Sequence, residues 1–347
     1  MRYAFSGLTS RVAGASLVSL LALFAVSTDL QAATMSDAEA LTVSYAAIEL
    51  NPSNPADMPA APGAHPSPLS YVGGLVLSSS DPRFGGLSGL EVSDDGTRLI
   101  AVTDTGHWVT ASLFYRDGAL AGLSDATIAP LRDPSKQSVA GSKRLGDAEA
   151  LTRLPDGRLA VAFERTHRVW AYEFDTLGDA APAMPVAISP DLANAENNKG
   201  LEALAALPDG TLLAVTEATL TPQGDITGWR VGQKGAGDVS IKRIHPFDLT
   251  DMAVLPSGDL LTLERRYSPL GGVGAQMRIV AAQSIDGDAP LDGPIIYRST
   301  AGQTVDNMEG IAVRQDEAGR IFVYVVSDDN FNPLQRTLLL MFELKDL

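Results

Sequence analysis

The chain has 347 residues but no cysteine, and only 6% of its residues are aromatic. Without cysteine it can form neither a disulfide framework nor a thiolate zinc site, and no lipid-anchoring cysteine follows its apolar leader. The 3 tryptophans offer no platform for stacking nucleic-acid bases. Lysine and arginine number 26 against 42 aspartates and glutamates, and the formal charge of -16 disfavours nucleic acid and anionic membranes as partners.

Several catalytic signatures are also missing. The 4 histidines form no His-x-x-x-His pair, so a zinc protease site is not supported. The sequence contains no glycine-rich phosphate loop, dinucleotide-binding fingerprint or haem-attachment motif. Ser88 only superficially resembles a nucleophile elbow, because the second glycine is misplaced and no strand–turn–helix pattern surrounds it.

The N-terminus has the layout of a secretory signal peptide. Arg2 and Arg11 bracket a short basic region, residues 13–26 are almost wholly apolar, and small residues follow at Ala32 and Ala33. The apolar run is short for a membrane span, although an uncleaved anchor is the alternative. We therefore expect residues 1–32 to be removed and the mature protein to be periplasmic or secreted, with no stable membrane insertion.

A hairpin layout recurs five times after Tyr71: an apolar strand, a turn that ends in glycine, and a second apolar strand. Glycine suits these turns because it adopts positive φ without strain. A repeat of about 50 residues that holds roughly four strands indicates a propeller blade. The turn glycines are Gly96, Gly157, Gly210, Gly258 and Gly319, separated by 61, 53, 48 and 61 residues.

We therefore predict an all-β fold, a single β-propeller over residues 71–347. An N-terminal strand at 41–50 and a Pro/Ala-rich segment precede it within residues 33–70. The remaining strands predict a sixth blade that both chain ends build, which would close the ring and remove free sheet edges. A β-sandwich with coincidental hairpins is the alternative. The strands assigned to the sixth blade are 71–79, 295–298 and 338–344.

Acidic residues recur in pairs at the open ends of the hairpins. The two members of a pair are equally far from the turn of their hairpin, which predicts that they face each other across its two strands. Like charges that face each other cost a few tenths to about 1 kcal/mol, so their repetition needs a compensating hard cation such as Ca²⁺ or nearby bases. Alternatively, these acids only fasten neighbouring blades to one another. The pairs are Glu149 with Glu164, Glu202 with Glu217, Asp251 with Glu264, and Glu309 with Asp328, with Ser88 and Asp104 in the first repeat.

Short motifs in these repeats resemble the bacterial phytase-like family, whose members are described as having esterase-like activity. The resemblance extends over roughly residues 71–344 and implies an exported β-propeller that hydrolyses phosphoesters or other esters. The calcium-binding motifs of alkaline β-propeller phytases do not match residue by residue, and the Arg-His-Gly motif of histidine acid phosphatases is absent. The matching segments are 87–90, 147–151, 198–204, 263–266 and 307–311.

The leading hypothesis is a metal-dependent ester hydrolase, with phosphoesters as the preferred class and Ca²⁺ as the expected cofactor. We expect a small anionic or ester substrate and a monomeric protein. A non-catalytic propeller that binds an envelope ligand or protein, and a calcium-dependent lactonase, are the alternatives. The candidate catalytic residues are Glu149, Glu202 and Glu309. The candidate substrate-binding residues are Lys199, Arg265 and Arg266. The candidate metal ligands are Asp104, Glu164, Glu217, Asp328 and Asn330.

Overall fold

A computed structural model of the chain describes residues 36–50, 67–189, 191–192, 195, 199–232, 235–268, 272–300 and 302–345. These residues form five antiparallel sheets of four or five strands each. The segment that we interpret as a signal peptide, and most of the Pro/Ala-rich segment, lie outside the described residues. The predicted β-propeller is therefore confirmed for the described part of the chain.

Each sheet is one blade, numbered in chain order, and its strands follow from the channel outward. Blade 1 contains β4 (Leu87–Val92), β5 (Arg98–Thr103), β6 (His107–Arg116), β7 (Ala119–Pro130) and the short β1 (Glu39–Ala40). Blade 2 contains β8 (Ala148–Arg153), β9 (Leu159–Phe163), β10 (Arg168–Tyr172) and β11 (Met184–Val186). Blade 3 contains β12 (Leu201–Ala206), β13 (Leu212–Leu220), β14 (Ile226–Gly232) and β15 (Gly235–Ile241). Blade 4 contains β16 (Asp248–Val254), β17 (Leu260–Ser268), β18 (Gly272–Val280) and β19 (Ile295–Arg298). Blade 5 contains β20 (Asn307–Gln315), β21 (Ile321–Asp328), β22 (Thr337–Leu344), β3 (Leu69–Ser79) and β2 (Val43–Ala47).

The innermost strands of the blades surround a central channel. Strand β4 contacts β8, β8 contacts β12, β12 contacts β16, β16 contacts β20, and β20 returns to β4. The chain ends meet in blade 5, where β3 pairs along β22 from Leu69 opposite Leu344 to Leu77 opposite Thr337. This pairing closes the ring between an early and a late strand, as the sequence predicts.

The prediction of six blades was wrong, because the described residues form five. The strands that we assigned to a sixth blade lie in blades 4 and 5. Residues 295–298 form the outermost strand of blade 4, while 71–79 and 338–344 extend blade 5 beyond its inner hairpin. The predicted N-terminal strand contains β2, which pairs with β3. The number of inner hairpins sets the blade count, and strands added outside a hairpin only widen a blade.

The inner hairpins share a turn and an irregularity. Turn glycines such as Gly157 and Gly210 have φ of 90° and 84°, a left-handed conformation that side-chain-bearing residues seldom adopt. Near the other end of the hairpin, every inner strand contains a β-bulge where two residues oppose one on the second strand. A bulge changes the direction of a side chain and locally increases strand twist. At each of the five bulges, one side chain therefore points in a different direction from the side chains of its neighbours along the strand.

Apolar side chains fill the spaces between adjacent blades. Trp108 of blade 1 is 1% exposed and packs edge-on against Tyr172 of blade 2, with ring centroids 5.2 Å apart. Phe174 completes this cluster at 4.8 Å from Trp108. Burial of such large rings stabilises the contact by roughly 1.5–3 kcal/mol per side chain. The blades thus attach through their faces, which leaves their polar ends free to form the site.

Helical structure is confined to short connections in the described part of the chain. These connections include α1 (Lys143–Gly146), α2 (Phe174–Leu177) and single 3₁₀ turns at Gly178–Ala180 and Ala282–Ser284. Among the residues that the structure describes, no helix has the length and apolar character needed to traverse a bilayer.

Candidate active site

Two sets of equivalent residues lie at one mouth of the channel. The bulged residue of each inner strand forms the first set, which we call the inner ring. The second strand of each hairpin contributes the outer ring, from the position that faces the residue two places before the bulged residue. The inner ring is Ser88, Glu149, Glu202, Thr250 and Glu309. The outer ring is Asp104, Glu164, Glu217, Arg265 and Asp328.

The bulges change the facing partners that the sequence predicts. The amide of Glu164 donates to the carbonyl of Asp147, so Glu164 faces Asp147 rather than Glu149. In blade 4 the residue in the outer-ring position is Arg265, which pairs with Asp248. The inner ring therefore holds three carboxylates. The outer ring holds four carboxylates and one arginine, Arg265 of blade 4. Counting from the turn misses this register because each bulge adds one residue to one strand.

The glutamates of the inner ring influence one another across blades. Burial raises the pKa of Glu202 well above its usual value, and the negative charges of Glu217 and Glu309 raise it further. Burial also raises the pKa of Glu149, with Glu202 as the largest charged contributor. Only groups that are close together in a poorly solvated region perturb one another in this way. The glutamates of separate blades thus lie close together at one mouth of the channel.

Arg265 connects blades 3, 4 and 5. Its Nε atom lies 3.1 Å from a carboxylate oxygen of Glu309, and its Nη2 atom donates to Glu217 at 3.1 Å. Glu309 also accepts a hydrogen bond from the Asn307 side chain at 2.6 Å. Burial raises the pKa of Glu309 to about 7, although Arg265 and Asn307 both lower it. A carboxyl group with such a pKa can either donate or accept a proton near neutral pH.

A second cluster lies between blades 1 and 2, around the buried Asp147. Lys143 of α1 contacts Asp147 at 2.5 Å and Asp104 at 2.8 Å. Arg165 contacts the other oxygen of Asp147 at 2.6 Å. Arg165 has a positive φ of 57°, a backbone conformation that is uncommon for a residue with a side chain. The two bases therefore neutralise Asp147 and leave the ring glutamates beside it.

Asp147, Glu149 and Glu164 also form a group that suits a metal ion. One oxygen of each carboxylate lies within 4.8 Å of the others. Ca²⁺ takes six to eight oxygen ligands, which carboxylates, carbonyl groups and water molecules supply. Glu202 adds its charge to the same sector, because it raises the pKa of Glu149 and is itself affected by Glu164. The donor chemistry of this sector therefore fits a hard divalent cation.

Burial also raises the pKa values of acids in the outer ring. Burial raises the pKa of Glu164 to about 7, although the amide of Gly200 donates to this carboxylate at 3.0 Å and lowers it. Burial and the charge of Glu309 raise the pKa of Asp328 to about 8. The pKa of Asp104 is raised by burial, against the effect of Lys143. These groups bind protons more tightly than carboxyl groups in water.

The other predicted site residues lie in different places. Lys199 is exposed, but its charge lowers the pKa of Glu217, which places it beside the outer ring. Arg266 follows Arg265 on β17 and lies over the ring of Phe247, with its guanidinium carbon 5.8 Å from the centroid. Asn330 is exposed, and its backbone amide donates to Asp328 at 2.6 Å. Lys199 thus adjoins the ring acids, while Arg266 packs against an aromatic side chain.

The predicted Asp251–Glu264 pair plays a different part. Asp251 accepts hydrogen bonds from the amides of Met252 at 2.8 Å and Ile311 at 2.9 Å, and therefore ties blade 4 to blade 5. Glu264 is 2% exposed and binds the buried Arg278 within its own blade at 2.5 Å. Neither residue belongs to a ring, because the bulge shifts blade 4 by one position relative to the pattern read from the sequence.

Three contributors to the mouth were not among the predicted site residues: Asp147, Asn307 and Lys143. Asp147 and Asn307 each stand two residues before a ring glutamate, so the spacing Asp-x-Glu and Asn-x-Glu was available as a signal. The sequence predicts only that bases near the acids compensate their charge, without singling out Lys143. The contact of Lys143 with two acids depends on α1. This helix has only four residues, too few for a periodic hydrophobic pattern to predict it.

The opposite end of the channel contains a cavity of about 210 Å³. All five inner strands line it, and its walls include Val92, Ala206, Val254 and Val313. Glu91 lies at this end and accepts a hydrogen bond from the amide of Arg153 at 2.8 Å. The channel therefore has a strongly acidic mouth at one end and, at the other, a cavity whose lining combines apolar side chains with the charged residues Glu91, Asp94 and Arg153.

Solved structures match the chain at low sequence identity. Selenomethionine-substituted virginiamycin B lyase from Staphylococcus aureus is 10% identical, with a TM-score of 0.39, and the match covers 79% of this chain and 98% of that one. A protein of unknown function from Dyadobacter fermentans DSM 18053 is 16% identical, with a TM-score of 0.42, covering 80% and 85% of the two chains. The comparison with curated proteins gave no match.

A comparison of the sequence with protein families identifies the family of this chain. The Phytase-like family, described as "Esterase-like activity of phytase", matches residues 82–331. That range contains every residue of both rings, as well as Lys143, Asp147 and Asn307. Because the match extends over well more than half of the sequence, the chain belongs to the Phytase-like family.

Proposed function

We propose that this protein is an exported, metal-dependent ester hydrolase that acts on phosphoesters through the acidic mouth of its channel. The observation that carries the proposal is the convergence of the ring carboxylates from four blades, together with Arg265 from the remaining blade. Membership of a family with an esterase-like description supports the class of reaction. The N-terminal sequence pattern supports export.

The metal would be held by Asp147, Glu149 and Glu164, with Glu202 alongside. When bound, Ca²⁺ would lower the pKa of a water molecule and screen the charge of the substrate. The chain's own groups supply the remaining functions. Glu309 is suited to exchange a proton because its pKa lies near 7, and it is oriented by Asn307 and Arg265.

Recognition of the ester would fall to the bases of the same mouth. Arg265 and Lys199 can form charge-assisted hydrogen bonds with phosphoryl or carboxyl oxygens. Arg265 is already oriented by Glu217 and Glu309, so its position is fixed before substrate arrives. We leave Arg266 out of this role, because its guanidinium lies over Phe247.

The direct test is hydrolysis of p-nitrophenyl phosphate and p-nitrophenyl acetate, with and without Ca²⁺. We expect calcium-stimulated turnover that Glu149→Gln and Glu202→Gln each reduce by a factor of about 100 or more, in the range for loss of a group that positions the reactants. Glu317→Gln, which changes an exposed turn residue, is the matched control. Inactivity of the folded wild-type protein on both esters and on phytate would refute the proposal and favour a binding propeller, while turnover of lactones alone would favour a lactonase.

A further inference from the structure

One exposed aromatic side chain lies directly beside the acidic mouth. Phe331 is 45% exposed, yet it follows Asp328 of the outer ring by only three residues. An apolar side chain that is this accessible, at the entrance of a charged site, has no role in the packing of the core. Its surroundings show that the loop holds it in a defined position.

The backbone around Phe331 adopts a conformation that bulky residues avoid. Asn330 and Phe331 have φ values of 48° and 50°, two consecutive residues in the left-handed region. Such a conformation costs about 1 kcal/mol or more per residue and persists only where the surroundings enforce it. It turns the side chain of Phe331 back toward blade 1.

Two glycines make room for this ring. A Cβ atom on Gly85 would lie 2.8 Å from the Phe331 ring, and one on Gly86 would lie 3.1 Å from it. A Cβ on Gly86 would also lie 1.9 Å from an oxygen of Asp104. The ring and an outer-ring carboxylate therefore approach the same glycine pair, which places Phe331 next to the acids of the mouth.

Asp329 fixes the loop in this position. Its Oδ1 atom accepts hydrogen bonds from the amide of Phe331 at 3.1 Å and from the amide of Gly86 at 3.4 Å. One carboxylate oxygen thus joins the loop of blade 5 to the entry strand of blade 1. Asp329 is a positioning residue, because it acts on Phe331 rather than on a substrate.

Further apolar side chains extend beyond the outer ring on neighbouring blades. Leu220 follows Glu217 by three residues and is 42% exposed, and Tyr267 follows Arg265 by two residues and is 70% exposed. Leu334, on the same loop as Phe331, is 89% exposed. The acidic mouth is therefore bordered by apolar groups on blades 3, 4 and 5.

We propose that Phe331 is a specificity-determining residue that binds a ring-containing, apolar group of the ester substrate beside the acidic mouth. The inference rests on the proposed hydrolase function and narrows its substrate class. A densely charged polyphosphate would meet the ring carboxylates with few bases to offset them, whereas an aryl ester with one reacting group would place its ring on Phe331. Aromatic pairs prefer offset or edge-on contact at centroid distances of roughly 4.5–7 Å, which an accessible ring permits.

The test compares phenyl with methyl substrates in the full-length mature protein. We expect wild type to prefer phenyl phosphate over methyl phosphate and phenyl acetate over methyl acetate. Phe331→Ala should reduce kcat/KM for the phenyl esters about fivefold, mainly through KM, and leave the methyl esters unchanged. Phe331→Tyr should retain the preference. Equal losses on phenyl and methyl esters, or no loss on either, would overturn the inference.

Two further variants separate recognition from folding. Gly85→Ala should displace the ring without removing it and should reproduce the selective loss on phenyl esters. Leu177→Ala removes an apolar side chain of similar exposure, 38%, from α2 and should have no effect on either ester. Thermal unfolding of every variant shows whether the fold is intact. A folded Gly85→Ala protein with unchanged phenyl preference would contradict the assigned position of the ring.

Binding of phenylphosphonate and methylphosphonate, measured by calorimetry in the presence of Ca²⁺, distinguishes the two proposals. If no ester is hydrolysed but phenylphosphonate binds more tightly than methylphosphonate and Phe331→Ala abolishes the difference, the hydrolase proposal fails and recognition of the ring stands. If the esters are hydrolysed without any phenyl preference, the hydrolase proposal stands and the role of Phe331 is refuted. Absence of both hydrolysis and phosphonate binding would refute both.

Discussion

Arg265 forms an ion pair with Glu309 of the next blade, with 3.1 Å between the guanidinium Nε atom and a carboxylate oxygen. The same guanidinium binds Glu217 on the preceding blade. Blade 4 therefore supplies a positive charge at the position where the other four blades supply acids. This substitution reduces the repulsion within the mouth without removing the carboxylates that the proposed chemistry needs.

We predict that Arg265→Gln destabilises the protein by about 1–3 kcal/mol at pH 8 and by less at pH 5. Removal of one partner of a buried ion pair leaves the other charge uncompensated and costs about 3–5 kcal/mol, and the partial exposure of Arg265 reduces that figure. At lower pH the carboxyl groups become protonated, so the loss of the arginine matters less. Urea unfolding at the two pH values measures the difference.

Arg266→Gln is the matched control for this experiment, since it removes the same group from the next position on β17. We expect it to change stability by less than Arg265→Gln at pH 8. The double variant with Glu309→Gln should recover part of the loss, because it removes one of the acids that Arg265 neutralises. Equal destabilisation by the two arginine variants at both pH values would contradict the bridging role.

Calcium should stabilise the folded protein. Any ligand that binds only the native state adds a free energy that depends on its concentration, about 2.7 kcal/mol at 100 times the Kd. For a domain of about 300 residues that corresponds to an increase in Tm of roughly 4 °C. Glu149→Gln and Glu202→Gln should reduce the increase, whereas Glu317→Gln should leave it unchanged. Differential scanning calorimetry with a chelator control tests this, and a Tm that is insensitive to Ca²⁺ would contradict the proposed site.

Much of the architecture follows from the sequence because turn chemistry is local. The glycine turns of the five hairpins, and the acids Glu149 and Glu202 at the start of two inner strands, lie where the repeat pattern predicts. The blade count was not predictable in the same way. Outer strands such as β19 and β3 have no shared motif, and only the three-dimensional pairing shows which blade each one joins.

The pairing register of the site residues was also not predictable from the sequence. Pairing residues at equal distances from each turn assumes regular hairpins, and it therefore pairs Asp251 with Glu264. The bulges displace that pairing, so Thr250 and Arg265 occupy the ring positions of blade 4. The bulge of blade 4 is not recognisable from the sequence, because its bulged residue is Thr250, whereas blades 2, 3 and 5 have a glutamate at that position. The placement of Phe331 was likewise hidden, since it depends on contacts between opposite ends of the sequence.

Asp251 should be essential for stability rather than for chemistry. It satisfies two buried amides, and loss of a buried partner costs about 1–3 kcal/mol for each group left without one. We predict that Asp251→Ala reduces the free energy of unfolding by about 2–5 kcal/mol, and that Asp251→Asn has a smaller effect because its amide oxygen still accepts. Asp288→Ala, at an exposed position, is the control. Urea unfolding in which Asp251→Ala matches Asp288→Ala would exclude the proposed tie between blades.

Glu91 should make stability depend on pH from the opposite end of the channel. Burial raises its pKa from 4.5 to about 7, against the opposing effect of Arg153. In the unfolded chain this carboxyl group loses its proton at a lower pH than in the folded protein. Between pH 4.5 and 7 the folded state therefore binds more protons, and its stability falls as the pH rises. Above pH 7 both states are ionised and the cost of the buried charge is complete.

We predict that Glu91→Gln removes this contribution. The amide oxygen still accepts from Arg153, while the charge is absent, so the variant should gain about 1–3 kcal/mol relative to wild type at pH 8 and little at pH 4.5. Because other buried carboxyl groups also titrate, the quantity to measure is the difference between variant and wild type in urea unfolding across this range. Glu317→Gln should show no pH-dependent difference. A Glu91→Gln difference that is constant from pH 4.5 to 8 would show that burial does not raise the pKa of this group, and would indicate that water fills the cavity around it.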